Sequence, residues 1–322
     1  MLFKVGVVGA TGLVGETMIK VLQDRSFPCE SFHPFASSKS EGKTVQYGTA
    51  EYPLEIITSE AISKGMILFG ATSANIAKKW IPMCIESGAL VIDNSSAYRM
   101  DPDTLLVVPE VNGQLITGSE NLIANPNCST IQLAVALAPL RQLGGIRWVS
   151  VTTYQAVSGA GKPALEALKI QQDGTLPENP AERIHENVIT SIGTPEAGAY
   201  CSEEVKLMNE TRKILGLNFH VFASAARVPV RTGHTEAVVV KFDTPVQSDK
   251  AVKILENSPG VKVTESGSSP ADAEGTDIVI VDRVRSHPLD SSVLQFWVIA
   301  DNLRKGAALN AVQIAEEYLK VK

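Results

Sequence analysis

The chain has 322 residues, 44% hydrophobic and 20% charged, which excludes a disordered protein and suits two globular domains. A net charge of -6 without any basic cluster speaks against nucleic acid as a partner, and no apolar run is long enough to span a bilayer. Cys29, Cys84, Cys128 and Cys201 stand far apart, with no Cys-x-x-Cys pair, so neither a metal site nor a disulfide framework is expected. No leader pattern precedes the first apolar run, and an unprocessed cytoplasmic protein is expected.

The opening segment, LFKVGVVGATGLVGETMIKVLQDR, reads as strand, Gly-rich turn and helix. The dense apolar run from Leu2 to Val8 suits a parallel strand buried on both faces. Leu13, Met18, Ile19 and Leu22 give the helix one apolar side. A second strand is expected near residues 31–36. Short apolar runs at 66–72, 89–93, 105–111 and 122–126, with a helical stretch at 74–87, continue the alternation. Together they predict an α/β, doubly wound parallel sheet of Rossmann type.

After about residue 145 the pattern changes. Segments 147–157, 219–230, 235–242, 277–285 and 293–301 alternate with period two and are rich in β-branched and aromatic residues. They predict an α+β domain built on a mixed or antiparallel sheet. Helices over 160–172, 201–216 and 249–257 would cover one face, and the Pro-containing stretch 173–187 reads as a loop. The last segment, NLRKGAALNAVQIAEEYLK, reads as a helix capped by Asp301 or Asn302. A large half-polar sheet face needs a partner, so a homodimer is expected, with a tetramer as the larger alternative.

Four groups of residues could carry chemistry. Gly9, Gly12 and Gly15 sit between the first strand and its helix, where a tight turn and free amides can hold a phosphate. After the second strand come Ser37, Ser38, Lys39 and Ser40, which suit the 2′-phosphate of NADP better than the bare ribose of NAD, although Glu41 dilutes that signal. Cys128, at the head of the apolar helical run CSTIQLAVALAPL, is either a small buried hydrophobe or a thiolate held at a helix N-terminus. Gln155 interrupts an apolar strand face just ahead of Ser158, Gly159 and Gly161, at a strand end of the kind on which α/β sites are built. Arg227, Arg231 and His234 cluster around a turn, where neighbouring cations favour a neutral ring that can act as a base. Arg99 lies just past an apolar strand. Glu203 and Lys206, one helical turn apart, are either a site pair or a surface ion pair.

The segments VGATGLVG, IDNSSAYR, VVPEVN, ANPNCSTIQ, TYQAVSGAG, EEVKLMNETRKILG, ARVPVRTGH and DNLRKGAALNAVQIAE follow one another from end to end. In that order they resemble the aspartate-β-semialdehyde dehydrogenase family, and the Thr-Tyr-Gln form of the strand motif resembles its Gram-positive-type bacterial branch. The resemblance implies NADPH-dependent reductive dephosphorylation of L-4-aspartyl phosphate to aspartate semialdehyde, a step toward lysine, diaminopimelate, threonine, methionine and isoleucine. It implies an NADP-binding Rossmann domain over 1–127, completed by a terminal helix at 303–322, and a catalytic and dimerisation domain over 128–302.

By motif position the resemblance makes Cys128 the nucleophile that forms a thioester, His234 the general acid/base and Gln155 the residue that orients the intermediate. Arg227 would hold the substrate carboxylate, Arg99 and Lys206 the phosphate, and Glu203 the ammonium. Gly9, Thr11, Gly12, Leu13, Val14, Ser37, Ser38, Lys39, Ser158, Gly159 and Asn302 would contact NADP, and no metal is implied. Lys39 stands where many relatives carry Arg, and a point charge grips a phosphate less specifically than a planar fork. N-acetyl-γ-glutamyl-phosphate reductase shares the architecture, and a catalytically silent binding paralogue is the alternative of another class.

Overall fold

The alternating apolar runs of the first 126 residues become a parallel sheet. The computed structural model describes residues 2–40 and 42–322, so Glu41 lies outside the described residues. The chain separates into two units, one running to Pro126 and including Ala307–Lys322, the other Asn127–Gly306.

In the first unit the strands are β1 (Phe3–Val8), β2 (Cys29–Phe35), β3 (Thr44–Tyr47), β4 (Ala50–Pro53), β5 (Ile67–Gly70), β6 (Leu90–Asp93), β7 (Leu105–Leu106) and β8 (Leu122–Ala124). All but β3 and β4 form one parallel sheet in the order β2-β1-β5-β6-β8-β7. The helices are α1 (Leu13–Asp24), α2 (Ala74–Glu86), the single turn α3 (Pro109–Asn112) and the C-terminal helix Leu309–Val321. Val5 and Val7 pack with Met18, Leu22, Val312 and Ile314 on one side. Val8, Leu68 and Val91 pack with Ala77, Trp80 and Ile81 on the other. Cover on both faces explains why β5 and β6 are apolar at nearly every position instead of alternating.

Three expectations shift. The run 105–111 supplies only two strand residues, because Pro109 has no N–H for a ladder and opens α3 at its first position. β2 starts two residues earlier than read. The antiparallel β3–β4 hairpin has no counterpart in the sequence reading, since its strands are largely exposed and carry no buried stripe.

The second unit holds β9 (Ile146–Gln155), β10 (His220–Arg227), β11 (His234–Phe242), β12 (Val261–Thr264), β13 (Val279–His287) and β14 (Asp290–Ala300). They form a mixed sheet in the order β10-β9-β11-β14-β13-β12, in which β9 with β10 and β12 with β13 are parallel and the other pairs antiparallel. Its helices are α4 (Cys128–Leu140), α5 (Lys162–Gln172), α6 (Ser202–Leu215), α7 (Ser248–Glu256) and the short α8 (Pro270–Ala273). Val151, Val238 and Phe296 lie side by side across three strands and are buried. α4 is apolar nearly all round, as a helix enclosed on all sides must be. The opposite sheet face shows Trp148 and Phe222 in edge contact and Tyr154 beside Trp297, with Phe222 55% exposed.

Asp301 rather than Asn302 caps the terminal helical segment, its Oδ1 accepting from the amides of Leu303 and Arg304 at 2.8 and 3.0 Å. The segment begins as a π turn, Arg304–Ala308, before the α-helix starts at Leu309. Among the described residues no helix is long and apolar enough to cross a membrane, and no cluster of His, Cys, Asp and Glu could hold a metal.

Candidate active site

Three strand ends and one helix start converge in the second unit. β9 and β10 run parallel, so Gln155 and Arg227, paired in register, end at the same edge. β11 runs antiparallel to β9, so its first residue, His234, arrives at that edge too. α4 begins there with Cys128, and the cysteine Sγ lies 3.2 Å from His234 Nε2. Residues 106 positions apart in sequence thus form one thiol–imidazole pair.

The nucleophile is positioned by the residue before it. Asn127 is the N-cap of α4, its Oδ1 accepting from Ser129 N at 3.0 Å. Its own amide donates to Glu210 Oε2 at 2.7 Å, and its Nδ2 donates to Glu203 Oε1 at 2.8 Å. Both acids stand on α6, two turns apart and therefore on one side of it. A Cβ on Gly306 would lie 3.0 Å from the Cys128 Cβ, so the π turn passes the nucleophile where only glycine fits without a shift.

Gln155, 1% exposed, donates from Nε2 to Ser129 Oγ at 2.9 Å and to Glu203 Oε1 at 3.2 Å. Arg227 Nη1 donates to the Ala156 carbonyl at 2.7 Å, and a Cβ on Gly159 would come within 3.0 Å of that nitrogen. Lys206 Nζ sits 3.1 Å from Glu203 Oε2, but the surface-pair alternative does not hold, because the Glu203 side chain is only 10% exposed. Asn302 bonds the Ser158 hydroxyl at 2.9 Å and accepts from Gly233 N at 2.9 Å, which ties two expected cofactor residues together.

Charge settles how these groups titrate. Burial, then the Arg227 guanidinium, push His234 from its ordinary value down to about 3, against the opposing pull of Glu203. Burial raises Glu203, but Lys206, Asn127 and Gln155 together outweigh it and hold the carboxyl below its ordinary value. Burial lowers Arg227, while the charges of Cys128 and Glu203 oppose that.

The other expected residues belong to the first unit. Gly9 has a φ of +91°, and a Cβ on it would lie 2.5 Å from the Ala71 carbonyl oxygen; one on Gly15 would lie 2.2 Å from that of Gly9. Gly12 precedes α1 without a side-chain cap, and the first-turn amides of Leu13 and Val14 have no carbonyl a turn earlier to bond. Such a cradle fits a dinucleotide phosphate. Ser37, Ser38 and Lys39 lie exposed after β2, Ser38–Ser40 forming a single 3-10 turn. Arg99 is buried, donating from Nε to the Asn125 carbonyl at 2.9 Å and from Nη2 to that of Asn94 at 2.6 Å. Arg231, in the turn between β10 and β11 of the second unit, is exposed, and its carbonyl accepts from Ser158 N at 3.1 Å.

Sequence reasoning missed Asn127, Ser129, Glu210 and Gly306. Asn127 was the findable one, as a capping residue directly ahead of an apolar helix. The seven-residue spacing of Glu203 and Glu210 was visible but could not be told from a solvated helix face.

Comparison with known proteins agrees in its coverage. The family descriptions "Semialdehyde dehydrogenase, NAD binding domain" and "Semialdehyde dehydrogenase, dimerisation domain" match residues 4–119 and 137–305. The aspartate-semialdehyde dehydrogenase of Aquifex aeolicus is 42% identical, across 99% of this chain and 98% of its own. Aspartate-semialdehyde dehydrogenase 2 of Vibrio cholerae is 42% identical across 98% and 97%. The solved structure of the V. cholerae enzyme II complexed with ASA is similar with a TM-score of 0.94, 39% identity and 99% of both chains covered. That of the Candida albicans enzyme with NADP has a TM-score of 0.78 at 26% identity, covering 100% of this chain and 99% of its own.

Proposed function

The chain belongs to the aspartate-semialdehyde dehydrogenase family, and from that premise we propose how its own residues perform the reaction. It is an oxidoreductase of amino-acid biosynthesis that interconverts L-4-aspartyl phosphate and L-aspartate 4-semialdehyde with a nicotinamide cofactor. Cys128 attacks the acyl carbon, the bond to phosphate breaks, and a thioester forms on the sulfur. A thiolate suits this step because it is a far better nucleophile at neutral pH than a hydroxyl. A nicotinamide cofactor would supply the hydride that reduces the acyl group, and the Cys128 sulfur is the leaving group as the aldehyde forms.

His234 is the acid/base partner of the sulfur, and Gln155 orients the acyl intermediate. Arg227 takes the substrate carboxylate, for which a planar fork is better matched than an ammonium. Glu203 takes the substrate ammonium, and Arg99 and Lys206 take the phosphate. An N-acetylated glutamyl substrate has no ammonium for Glu203, so that alternative is not favoured, nor is a silent paralogue with the thiol–imidazole pair intact. The 3.2 Å contact between Cys128 Sγ and His234 Nε2 carries the reading.

We assign cofactor contacts to Gly9, Thr11, Gly12, Leu13 and Val14, to Ser37, Ser38 and Lys39, and to Ser158, Gly159 and Asn302. The hydroxyls and Lys39 favour NADP, with NAD tolerated because Lys39 replaces the more selective Arg fork. The ratio of kcat/KM with the two cofactors tests this, and a preference for NAD removes it. The second unit is a dimerisation domain, supported by the aromatic face of its sheet, and the tetramer remains the larger assembly to test. Its place is the cytoplasm, with its biosynthetic substrates.

Incubation with aspartate semialdehyde, NADP and phosphate should give phosphate-dependent NADPH absorbance. Cys128→Ala should lower kcat by about 10⁴-fold or more. Mass spectrometry of quenched enzyme should find the acyl group on Cys128. Full activity in Cys128→Ala, or an acyl group elsewhere, sinks the mechanism.

A further inference from the structure

A buried carboxyl group of α6 holds the residue just ahead of the nucleophile. Glu210 is 1% exposed, and its Oε2 accepts from the Asn127 backbone amide at 2.7 Å, at the short end for such a bond. Within the Asn-Pro-Asn turn that amide is the one left to hold. Asn125 N is bonded to the Asp93 carbonyl at 2.8 Å, and Pro126 has no N–H. Asn127 is also where the second unit begins, and its carbonyl accepts the first main-chain bond of α4, from Ile131 N at 3.0 Å. The bond to Glu210 therefore grips the main chain one peptide away from Cys128.

The helix that presents Glu210 is itself fixed nearer its start. In the first turn of α6, Glu204 accepts from Cys201 N at 2.9 Å and from Ala225 N of β10 at 3.0 Å. Ala225 stands two residues before Arg227 on that strand. One turn of α6 is thus tied to the strand that carries Arg227, and a later turn holds the residue that precedes Cys128. Six residues of helix span about 9 Å and do not stretch. The helix acts as a strut between the two positions.

We propose that Glu210 is a positioning residue of the reaction, which through the Asn127 amide sets the place of the Cys128 sulfur relative to a substrate held by Arg227. The inference rests on the reading of Cys128 as nucleophile and Arg227 as the carboxylate ligand. Attack on an acyl carbon depends on distance and direction, and a displacement of about 1 Å can cost about 10²-fold in rate. None of the groups assigned to substrate binding lies on α4, so the loss on releasing Asn127 belongs in kcat and not in KM.

Two substitutions in the full-length enzyme test this. Glu210→Leu removes the acceptor at similar volume, and Glu210→Gln keeps one. With aspartate semialdehyde, NADP and phosphate, the Leu variant should lose about 10²-fold in kcat, with both KM values for aspartate semialdehyde and phosphate within about threefold of the parent. The Gln variant should keep kcat within about threefold, a rescue that separates the bond from the charge. Without substrate, alkylation of Cys128 by iodoacetamide, read by peptide mass spectrometry, should slow about tenfold in the Leu variant and less than about twofold in the Gln variant. All assays are run below the lowest Tm of the three chains, so that unfolding does not enter. Should Glu210→Leu fail to fold, Glu210→Asp replaces it: its carboxyl stops one methylene short of the amide, and kcat should fall by about tenfold or more. A Leu or Asp variant as active and as readily alkylated as the parent, a loss confined to KM, or equal losses in the Leu and Gln variants would overturn the proposal. A parent that does not turn over aspartate semialdehyde, yet shows the Leu–Gln contrast in alkylation, would sink the function and leave the positioning of the sulfur standing.

Discussion

Glu203 and Glu236 are both buried in the second unit, yet their surroundings drive them in opposite directions. Glu203, on α6, meets Asn127, Gln155 and Lys206, and these partners keep it charged despite its burial. Glu236, on β11 two residues after His234 and on the same strand face, lies beside Gln132 of α4, and burial raises its carboxyl well above the ordinary value against the opposing pull of that amide. One acid is an anion held at the reacting end of the sheet. The other is a neutral group held in its interior. Burial alone therefore does not tell a functional carboxylate from a structural one; the partners do.

The two acids bend stability with pH in opposite senses. The depressed Glu203 adds stability that is present above the ordinary carboxylate value and is lost as pH falls through its lowered one. The raised Glu236 adds stability that is present below the ordinary value and is lost as pH rises through its raised one. Substituting each acid by its amide should break the pair apart. Glu203→Gln should have the larger effect, because it removes the charge that meets Lys206 and that we assign to the substrate ammonium. Truncating one partner of a buried, hydrogen-bonded charge pair in a complex costs about 2–5 kcal/mol, so kcat/KM should fall by about 10- to 10⁴-fold, most of it in KM for aspartate semialdehyde. A loss under about threefold would return Glu203 to the role of an ordinary ion pair.

The contrast was only half legible in the sequence. The doubly wound half could be read because buried parallel strands and amphipathic helices leave strong periodic marks, and it failed where Pro109 cut a strand short and where the exposed β3–β4 hairpin left no stripe. In the site, Gln155 and His234 stood out as polar residues at strand ends, and Cys128 as a thiol at a helix start. The bonds that make Glu203 a site residue join positions 76 and 48 apart, and no local pattern encodes them. Glu236 was hidden for another reason. Its segment alternates regularly, and a polar residue in an alternating strand reads as facing solvent until His234, Val238 and Val240 are seen to share its buried phase. The Ala156 amide, which donates to His234 Nδ1 at 3.0 Å, leaves no trace at all, since any residue but proline supplies an N–H there.

Glu236→Gln is the smaller and sharper test. Beside Glu236 stands Gln132 of α4, whose Nε2 reaches the Val298 carbonyl at 3.4 Å while its Oε1 has no donor. A protonated Glu236 carries an O–H that an amide oxygen can accept, which an ionised one lacks. An amide at 236 offers the same kind of donor at nearly the same volume, without a proton to lose. Below the ordinary carboxylate value the variant and the parent should therefore melt together. As pH rises, the parent alone bears the cost of keeping its acid neutral, and the variant should become the more stable by about 1–3 kcal/mol, or a few degrees in Tm. Its kcat should stay within about twofold, because Glu236 touches none of the reacting groups. Thermal melts of both chains between about pH 4 and 9 check this. If Glu236→Gln lowers Tm at alkaline pH and leaves the slope of the parent unchanged, Glu236 is an anion with a partner of its own, and the two acids differ in position rather than in charge.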